Sequence, residues 1–332
     1  MSKVNRQWLL KARPVGMVKE SDFELNEAPI PSPADGQILV RNTHLAFEPA
    51  MRGWMEDRES YLPPVGIGEV MRGMTVGEVV ESKLAGYEPG DVVTGMTGWQ
   101  EYALGDAGLG KLPPGVEAPL AMSVLSVTGL TAYFGMLELG KPQPGDTVVV
   151  SGAAGATGSV AGQIAKIEGC RVIGIAGGAD KCAWLTKEAH FDAAIDYKTE
   201  DVGSRLAELC PKGIHVYFDN VGGEILNEVL ARIAQKARVV LCGAISGYNL
   251  EETPPGPSNY FNLVIQRGRM EGFIVLDYLP RFAEASAKLL DWVREGKIAW
   301  QADIQNDFEN APKTFQRLFT GANTGKQLLA LL

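Results

Sequence analysis

Three glycines at a spacing of three, Gly152, Gly155 and Gly158, are the residues whose type and placing point most directly to chemistry. Bare glycine backbone turns tightly and lets a phosphate come close, and the N–H groups opening a following helix then point at the negative charge. About 20 residues on, an NAD site carries Asp or Glu to accept the adenosine ribose hydroxyls. Here that stretch reads Ala176-Gly177-Gly178-Ala179 and offers no acceptor. Lys181 follows, a point charge suited to a 2′-phosphate, and Asp180 is expected to cap the helix that starts there. The dinucleotide that fits this pattern is NADPH.

The glycines are set between elements of the right kind. Thr147-Val148-Val149-Val150 is a short β-branched run of the sort buried on both faces of a parallel sheet. Val160, Ala161, Ile164, Ala165 and Ile167 recur at helical intervals, Gly169 ends that helix, and Arg171 to Ile175 reads as a second strand. Alternation continues with a helix over 181–188, a strand over Ala193–Asp196, a helix over Val202–Leu209, and strands at Val216–Asp219 and Ala237–Leu241 with a helix between them. Such alternation predicts an α/β fold with a doubly wound parallel sheet. Tyr197, Asn220-Val221-Gly222-Gly223 and Cys242-Gly243-Ala244-Ile245-Ser246 stand at successive strand ends, where ligands of open parallel sheets lie, and are expected to line one crevice. A Pro/Gly-rich loop over 252–258 leads to a helix, a strand-like Gly272-Phe273-Ile274-Val275 and an amphipathic helix over 280–295.

Residues 1–124 read as mostly β. Gln7–Leu10, Gln37–Asn42 and Thr75–Val80 have strand character, and prolines at 29, 31, 33, 63, 64 and 89 mark turns. The irregular stretch from Glu48 to Met74 holds Met51-Arg52-Gly53-Trp54 and Tyr61-Leu62-Pro63-Pro64 and suits a site-lining loop. The second domain is expected over 125–298, and residues 299–332 are expected to return to the first.

Composition narrows the function classes. A net charge of −9 with no long basic block argues against nucleic acid or an anionic membrane as the main partner, and no apolar run is long enough to span a bilayer. Four cysteines without paired spacing suit reduced thiols in a cytoplasmic enzyme, and three scattered histidines give no zinc-ligand pattern.

Taken in order, Glu48-Pro49-Ala50-Met51-Arg52-Gly53, Thr128-Gly129-Leu130-Thr131-Ala132-Tyr133, Gly152 to Gly162, Phe218-Asp219-Asn220-Val221-Gly222-Gly223, Cys242 to Ser246 and Asn323 resemble the zinc-independent medium-chain dehydrogenases/reductases, in the leukotriene/prostaglandin reductase branch with the double-bond and curcumin reductases. The resemblance implies a GroES-like β-barrel catalytic domain beside a Rossmann domain, a homodimer, and NADPH-dependent reduction of the C=C bond of α,β-unsaturated ketones and aldehydes. It implies that Gly155, Ala156, Thr157 and Gly158 hold the pyrophosphate and that Lys181 and Tyr197 bind the 2′-phosphate. Asn220, Cys242, Gly243, Ser246 and Tyr248 would run along the cofactor, with Phe273, Ile274, Val275 and Asn323 at its nicotinamide end. Two departures bear on the substrate side: a pocket tyrosine of the family is Ala50 here, and a second falls at or near Ile265. By resemblance Tyr61 matches a tyrosine of the curcumin reductases and is the first candidate for the catalytic hydroxyl; Tyr260, one and a half helical turns before Ile265, is the second. Rival readings are an NADPH-dependent quinone or carbonyl reductase and a non-catalytic NADPH-binding redox sensor.

Overall fold

The computed structural model describes residues 4–252 and 254–331. Two compact units emerge, one made of the described residues up to Met122 together with those from Ala302 onward, the other of Ser123–Gln301.

The first unit opens with β1 (Val4–Leu10) paired antiparallel to β2 (Phe23–Pro29) as a ribbon. β3 (Ile38–Ala46) is followed by a single helical turn, α1 (Met51–Trp54), and an irregular stretch before β4 (Thr75–Ser82). β5 (Val92–Gly95), β6 (Tyr102–Gly105), β7 (Gly110–Lys111) and α2 (Ala118–Met122) complete the N-terminal part. An aromatic cluster fills its core. Trp99 stacks on Phe23 at 5.3 Å between ring centres and meets Phe47 edge-on at 5.0 Å, a geometry favoured by the ring quadrupoles. Met51, Trp54 and Met55 pack into the same cluster, so the turn of α1 rests on a solid base.

In the second unit α3 (Val127–Phe134) runs on as a π-helical turn to Gly140. Next come β8 (Thr147–Ser151), α4 (Ala156–Ile167), β9 (Arg171–Ala176), α5 (Ala179–Lys187), β10 (Ala193–Asp196) and α6 (Val202–Leu209). β11 (Ile214–Asp219), α7 (Gly223–Leu230), β12 (Ile233–Leu241), α8 (Asn262–Gln266), β13 (Arg269–Gly272) and α9 (Phe282–Arg294) follow. The six strands are all parallel, in the order β10-β9-β8-β11-β12-β13. The fold class is the expected doubly wound sheet, with its topological switch between β8 and β11. β8 is buried along its whole length, as its unbroken apolar run requires.

One strand is displaced from the sequence expectation. The run 272–275 reads as a strand, yet pairing stops where Gly272 opposes Leu241, the last residue of β12. Without a partner strand, Phe273 leaves the sheet and sets its ring against Gly135, where a Cβ would lie 2.6 Å from it. Val275 then begins a 3-10 turn. The chain finally returns to the first unit through β14 (Ala302–Asn306), α10 (Ala311–Thr320) and β15 (Lys326–Ala330). β15 pairs antiparallel with β3 and parallel with β14, giving a seven-stranded and mainly antiparallel sheet.

Candidate active site

The glycine turn between β8 and α4 has the geometry its sequence predicts. Gly152 takes φ +57°, a conformation strained for a side chain, and Gly155 caps α4 with φ −82°. A Cβ on Gly158 would stand 2.4 Å from the Gly152 carbonyl oxygen, so the helix can approach the turn only if that position is bare. Among the described residues, the N–H groups of Ala156, Thr157 and Gly158 find no backbone acceptor. Three amides without a backbone acceptor at the positive end of a twelve-residue helix can hold an anion.

The β9 end itself, Ala176-Gly177-Gly178-Ala179, carries no carboxylate, and the one that closes β10 is engaged by its own chain. Asp196 turns back on the chain: Oδ1 accepts the Gly178 N–H at 2.8 Å and the Lys198 N–H at 3.1 Å, and Oδ2 accepts the Thr199 hydroxyl at 3.1 Å. Those donors, the Gly178 N–H foremost, hold its carboxyl below the usual range. Tyr197 is tethered by its own N–H to the Ala176 carbonyl at 3.1 Å, and its ring lies over Gly177, where a Cβ would come within 2.8 Å. Lys181 sits in the first turn of α5. The expected cap at Asp180 is corrected: Gly178, at φ 108°, is the N-cap, and Asp180 lies inside the first turn, where its charge meets the helix dipole. Gly178 wins because the chain must reverse sharply after β9, at a φ closed to most side chains.

The ends of β8, β11 and β12 are locked by Asp219, which is 1% exposed. Its Oδ1 accepts from Ser151 Oγ at 2.9 Å, Tyr217 Oη at 2.7 Å, and the N–H groups of Val221 and Gly222 at 3.0 and 2.9 Å. Burial pushes the Tyr217 phenol well up, which keeps it a donor. Asn220 is held twice by Ser151, through its backbone N–H to Oγ at 2.9 Å and through Nδ2 to the carbonyl at 2.6 Å. The N–H groups of Cys242 and Gly243 both bond the Asp219 carbonyl, Ser246 Oγ donates to the Val221 carbonyl at 2.6 Å, and Tyr248 Oη accepts the Ala244 N–H at 3.2 Å. Burial, with the Asp219 charge adding to it, drives the Cys242 thiol up to about 12, so it is a packed group and not a nucleophile. The structure thus gathers Gly155–Gly158, Asn220, Cys242, Gly243, Ser246 and Tyr248 at the carboxyl ends of the strands. Ser151 was not singled out in the sequence, and Asp219 was named there only as part of the Phe218–Gly223 motif, with no role of its own; a polar residue closing an apolar strand is the signal that could have found Ser151.

Tyr61 and Asn323 belong to the first unit. The Asn323 side chain donates to the Gly325 carbonyl at 3.0 Å just before β15. Lys326 and Glu48 form a buried ion pair, with Lys326 also donating to the Phe47 carbonyl at 3.3 Å. That pair fixes the chain entering α1. Tyr61 is 46% exposed, and Trp54 Nε1 donates to its hydroxyl at 3.1 Å. Tyr260 lies in the second unit with its ring 62% exposed, and its neighbours Asn259 and Asn262 donate to the carbonyls of Asn227 and Leu230 on α7. It does not join the cluster at the strand ends. Among the described residues, no three His, Cys, Asp or Glu side chains stand close enough together to hold a metal ion.

Comparison with known proteins gives the same outline. The family described as "N-terminal domain of oxidoreductase" matches residues 6–111, and that described as "Zinc-binding dehydrogenase" matches residues 156–295. The NADPH-dependent curcumin reductase of Escherichia coli (strain K12) is 42% identical over 98% of this chain and 96% of its own. The 2-alkenal reductase (NADP(+)-dependent) of Nicotiana tabacum is 38% identical over 98% and 97%. The crystal structure of CurA in complex with NADPH from Vibrio vulnificus superposes with a TM-score of 0.94 at 42% identity, covering 98% of this chain and 99% of that one.

Proposed function

Since this chain belongs to the zinc-independent medium-chain dehydrogenases/reductases, we propose that it is an NADPH-dependent reductase of the C=C bond in α,β-unsaturated ketones and aldehydes. The observation that carries this reading is the group of free amides on α4, beside a β9 end whose Ala176-Gly177-Gly178-Ala179 stretch offers no carboxylate to an unphosphorylated ribose. Ala156, Thr157 and Gly158 hold the diphosphate, and Lys181 with Tyr197 takes the 2′-phosphate. Asn220, its amide nitrogen already committed to Ser151, keeps Oδ1 to accept a sugar hydroxyl. Cys242, Gly243, Ser246 and Tyr248 are assigned to the path of the cofactor, and Phe273, Ile274 and Val275 to its nicotinamide end.

When bound, NADPH supplies a hydride to the β-carbon of the enone. The electron pair of the double bond shifts and negative charge builds on the carbonyl oxygen. The Tyr61 hydroxyl donates to that oxygen; one donor aimed at a developing oxyanion is worth about 2.7–4 kcal/mol. A proton reaching the α-carbon from Tyr61 or water completes the reduction. Tyr260, exposed and without a side-chain partner among the described residues, is the second candidate for the donor.

We also assign a homodimer in the cytoplasm. β13 is an edge strand with one side unpaired, and next to it α8 and its approach expose Phe261 (61%), Val264 (61%) and Ile265 (51%) on one face. An open edge beside an apolar patch is commonly covered by a second copy. Four free thiols suit a reducing compartment.

The test is a panel of enones, quinones and saturated aldehydes incubated with NADPH, following loss of the reduced nicotinamide and the mass of the product. Fast turnover of enones to the saturated ketone is expected. Preferential turnover of quinones, or NADPH binding without oxidation across the panel, would overturn the assignment in favour of a quinone reductase or a redox sensor respectively.

A further inference from the structure

The Tyr61 hydroxyl is built into a larger arrangement. Trp54, at the end of α1, is 8% exposed and donates through Nε1 to Tyr61 Oη at 3.1 Å. Chemistry fixes the direction of that bond, because an indole nitrogen carries a hydrogen and cannot accept. The phenol oxygen is the acceptor, and among the described residues its single proton meets no acceptor.

Trp54 is held through its backbone as well as its ring. The Trp54 carbonyl accepts the Val65 N–H at 2.8 Å, so α1 and the segment after Tyr61 are tied through both backbone and side chain. Arg72 donates from Nη1 to the Pro63 carbonyl at 2.9 Å, and its guanidinium carbon lies 5.8 Å from the centre of the Trp54 ring, a favourable place for a cation. Beneath, Trp54 packs with Met51, Met55 and Val65 in the aromatic core. The donor therefore stands on a rigid base while the Tyr61 ring is half open to solvent.

We propose that Trp54 is a positioning residue for enone reduction: its N–H holds the Tyr61 phenol with the O–H turned outward toward the substrate oxygen. This inference rests on the role given to Tyr61 above. The same N–H supports the phenol oxygen as its proton is drawn toward the carbonyl oxygen, where the charge displaced by hydride arrival collects. No bond to Trp54 forms or breaks, and its contribution is geometric and electrostatic.

The experiment is a double-mutant cycle with a simple alkenone and NADPH. Trp54→Phe keeps the ring face and loses the N–H; Tyr61→Phe loses the hydroxyl; the double variant loses both. Trp54→Phe should lower kcat by about fivefold to tenfold, the worth of one neutral hydrogen bond, with NADPH affinity near wild type and a thermal midpoint lowered by the volume lost from the core. Tyr61→Phe should lower it further, and the double variant should be no worse than Tyr61→Phe. If Tyr61→Phe is impaired and Trp54→Phe is not, or if the Trp54 loss persists undiminished beside Tyr61→Phe, the positioning role is wrong while Tyr61 keeps its place. If Tyr61→Phe is fully active, the catalytic assignment falls and the Trp54 inference falls with it. Should Trp54→Phe fail to fold, site-specific replacement of Trp54 by benzothienylalanine exchanges the N–H for sulfur in the same shape, and unchanged kcat there overturns the proposal.

Discussion

Placing an alanine at Gly158 is the most direct trial of the idea that the phosphate turn is set by steric exclusion. The new methyl would lie 2.4 Å from the Gly152 oxygen, about one ångström inside ordinary contact, and 3.0 Å from the Ala153 Cα. Both neighbours are backbone, so neither can swing aside. Alanine gains up to about 1 kcal/mol over glycine in a helix, whereas overpacking costs about 1–3 kcal/mol, and the clash is the larger effect. The first turn of α4 must back away, and a shift of that size in a positioned group costs on the order of 10²-fold. Gly155→Ala is the matched comparison, since its Cβ would sit 3.2 Å from the same oxygen at an ordinary φ of −82°. Calorimetric titration with NADPH and thermal melts should show Gly158→Ala weakened in both, and Gly155→Ala with a near-normal melting midpoint. Wild-type binding and melting in Gly158→Ala, or a larger loss of stability in Gly155→Ala, would refute the reasoning.

Lys181→Ala should weaken NADPH by about 10–100-fold, the worth of a charge-assisted hydrogen bond, and leave NADH nearly unchanged; equal losses for the two would remove Lys181 from the 2′-phosphate. Burial lifts the thiols of Cys170, Cys182 and Cys210 to about 11 and that of Cys242 to about 12, above the ordinary value of 9.0. The unfolded chain then sheds thiol protons first, so the stability these groups contribute is complete below pH 9 and is lost as pH rises toward 11–12; in keeping with this, native protein near pH 9 should resist alkylation at thiols that react once it is unfolded, and equal rates in the two states would count against it. Lys326→Met leaves the Glu48 carboxylate buried without its partner and should cost about 3–5 kcal/mol in denaturant titration, most of it recovered by Lys326→Met with Glu48→Gln; a double variant no better than the single would show that the pair is not the cause. Phe261→Glu with Val264→Glu should halve the mass seen by light scattering and leave NADPH binding intact, and an unchanged mass would exclude that face as the dimer contact.

What could be read from the sequence was what is local. Thr147 to Val150, the three glycines and the helical spacing from Val160 to Ile167 announce strand, turn and helix within one window, and β10 and α6 fall where their patterns place them. The strand expected at 272–275 moved because sheet pairing is settled by the partner: β12 ends at Leu241, and an apolar run beyond that point packs as side chains instead. The residues that brace the site escaped for a related reason. Ser151 meets Asp219 across 68 positions, and Lys326 meets Glu48 across 278, with no period linking either pair. Trp54 and Tyr61 are only seven residues apart, yet the stretch between them has no regular structure from which a contact could be inferred.

The two ends of the proposed reaction also differ in how their geometry is enforced. At the cofactor end a single carboxylate oxygen of Asp219 gathers four donors, and it binds the ends of β8 and β11 and the turn after β11 into one buried unit. A substitution there disturbs many contacts at once, so this part of the molecule tolerates little change. At the Tyr61 end the geometry comes from one N–H on a short helical turn, and position 50, a tyrosine in the family pattern, is an alanine packed against the core cluster. On the role proposed for Tyr61, no second phenol is supplied from that position and one oriented hydroxyl meets the charge that builds on the substrate oxygen. Substrate preference should therefore respond far more to changes between Glu48 and Met74 than to changes around the diphosphate cradle, where substitutions alter cofactor affinity and leave the ranking of enones as it was.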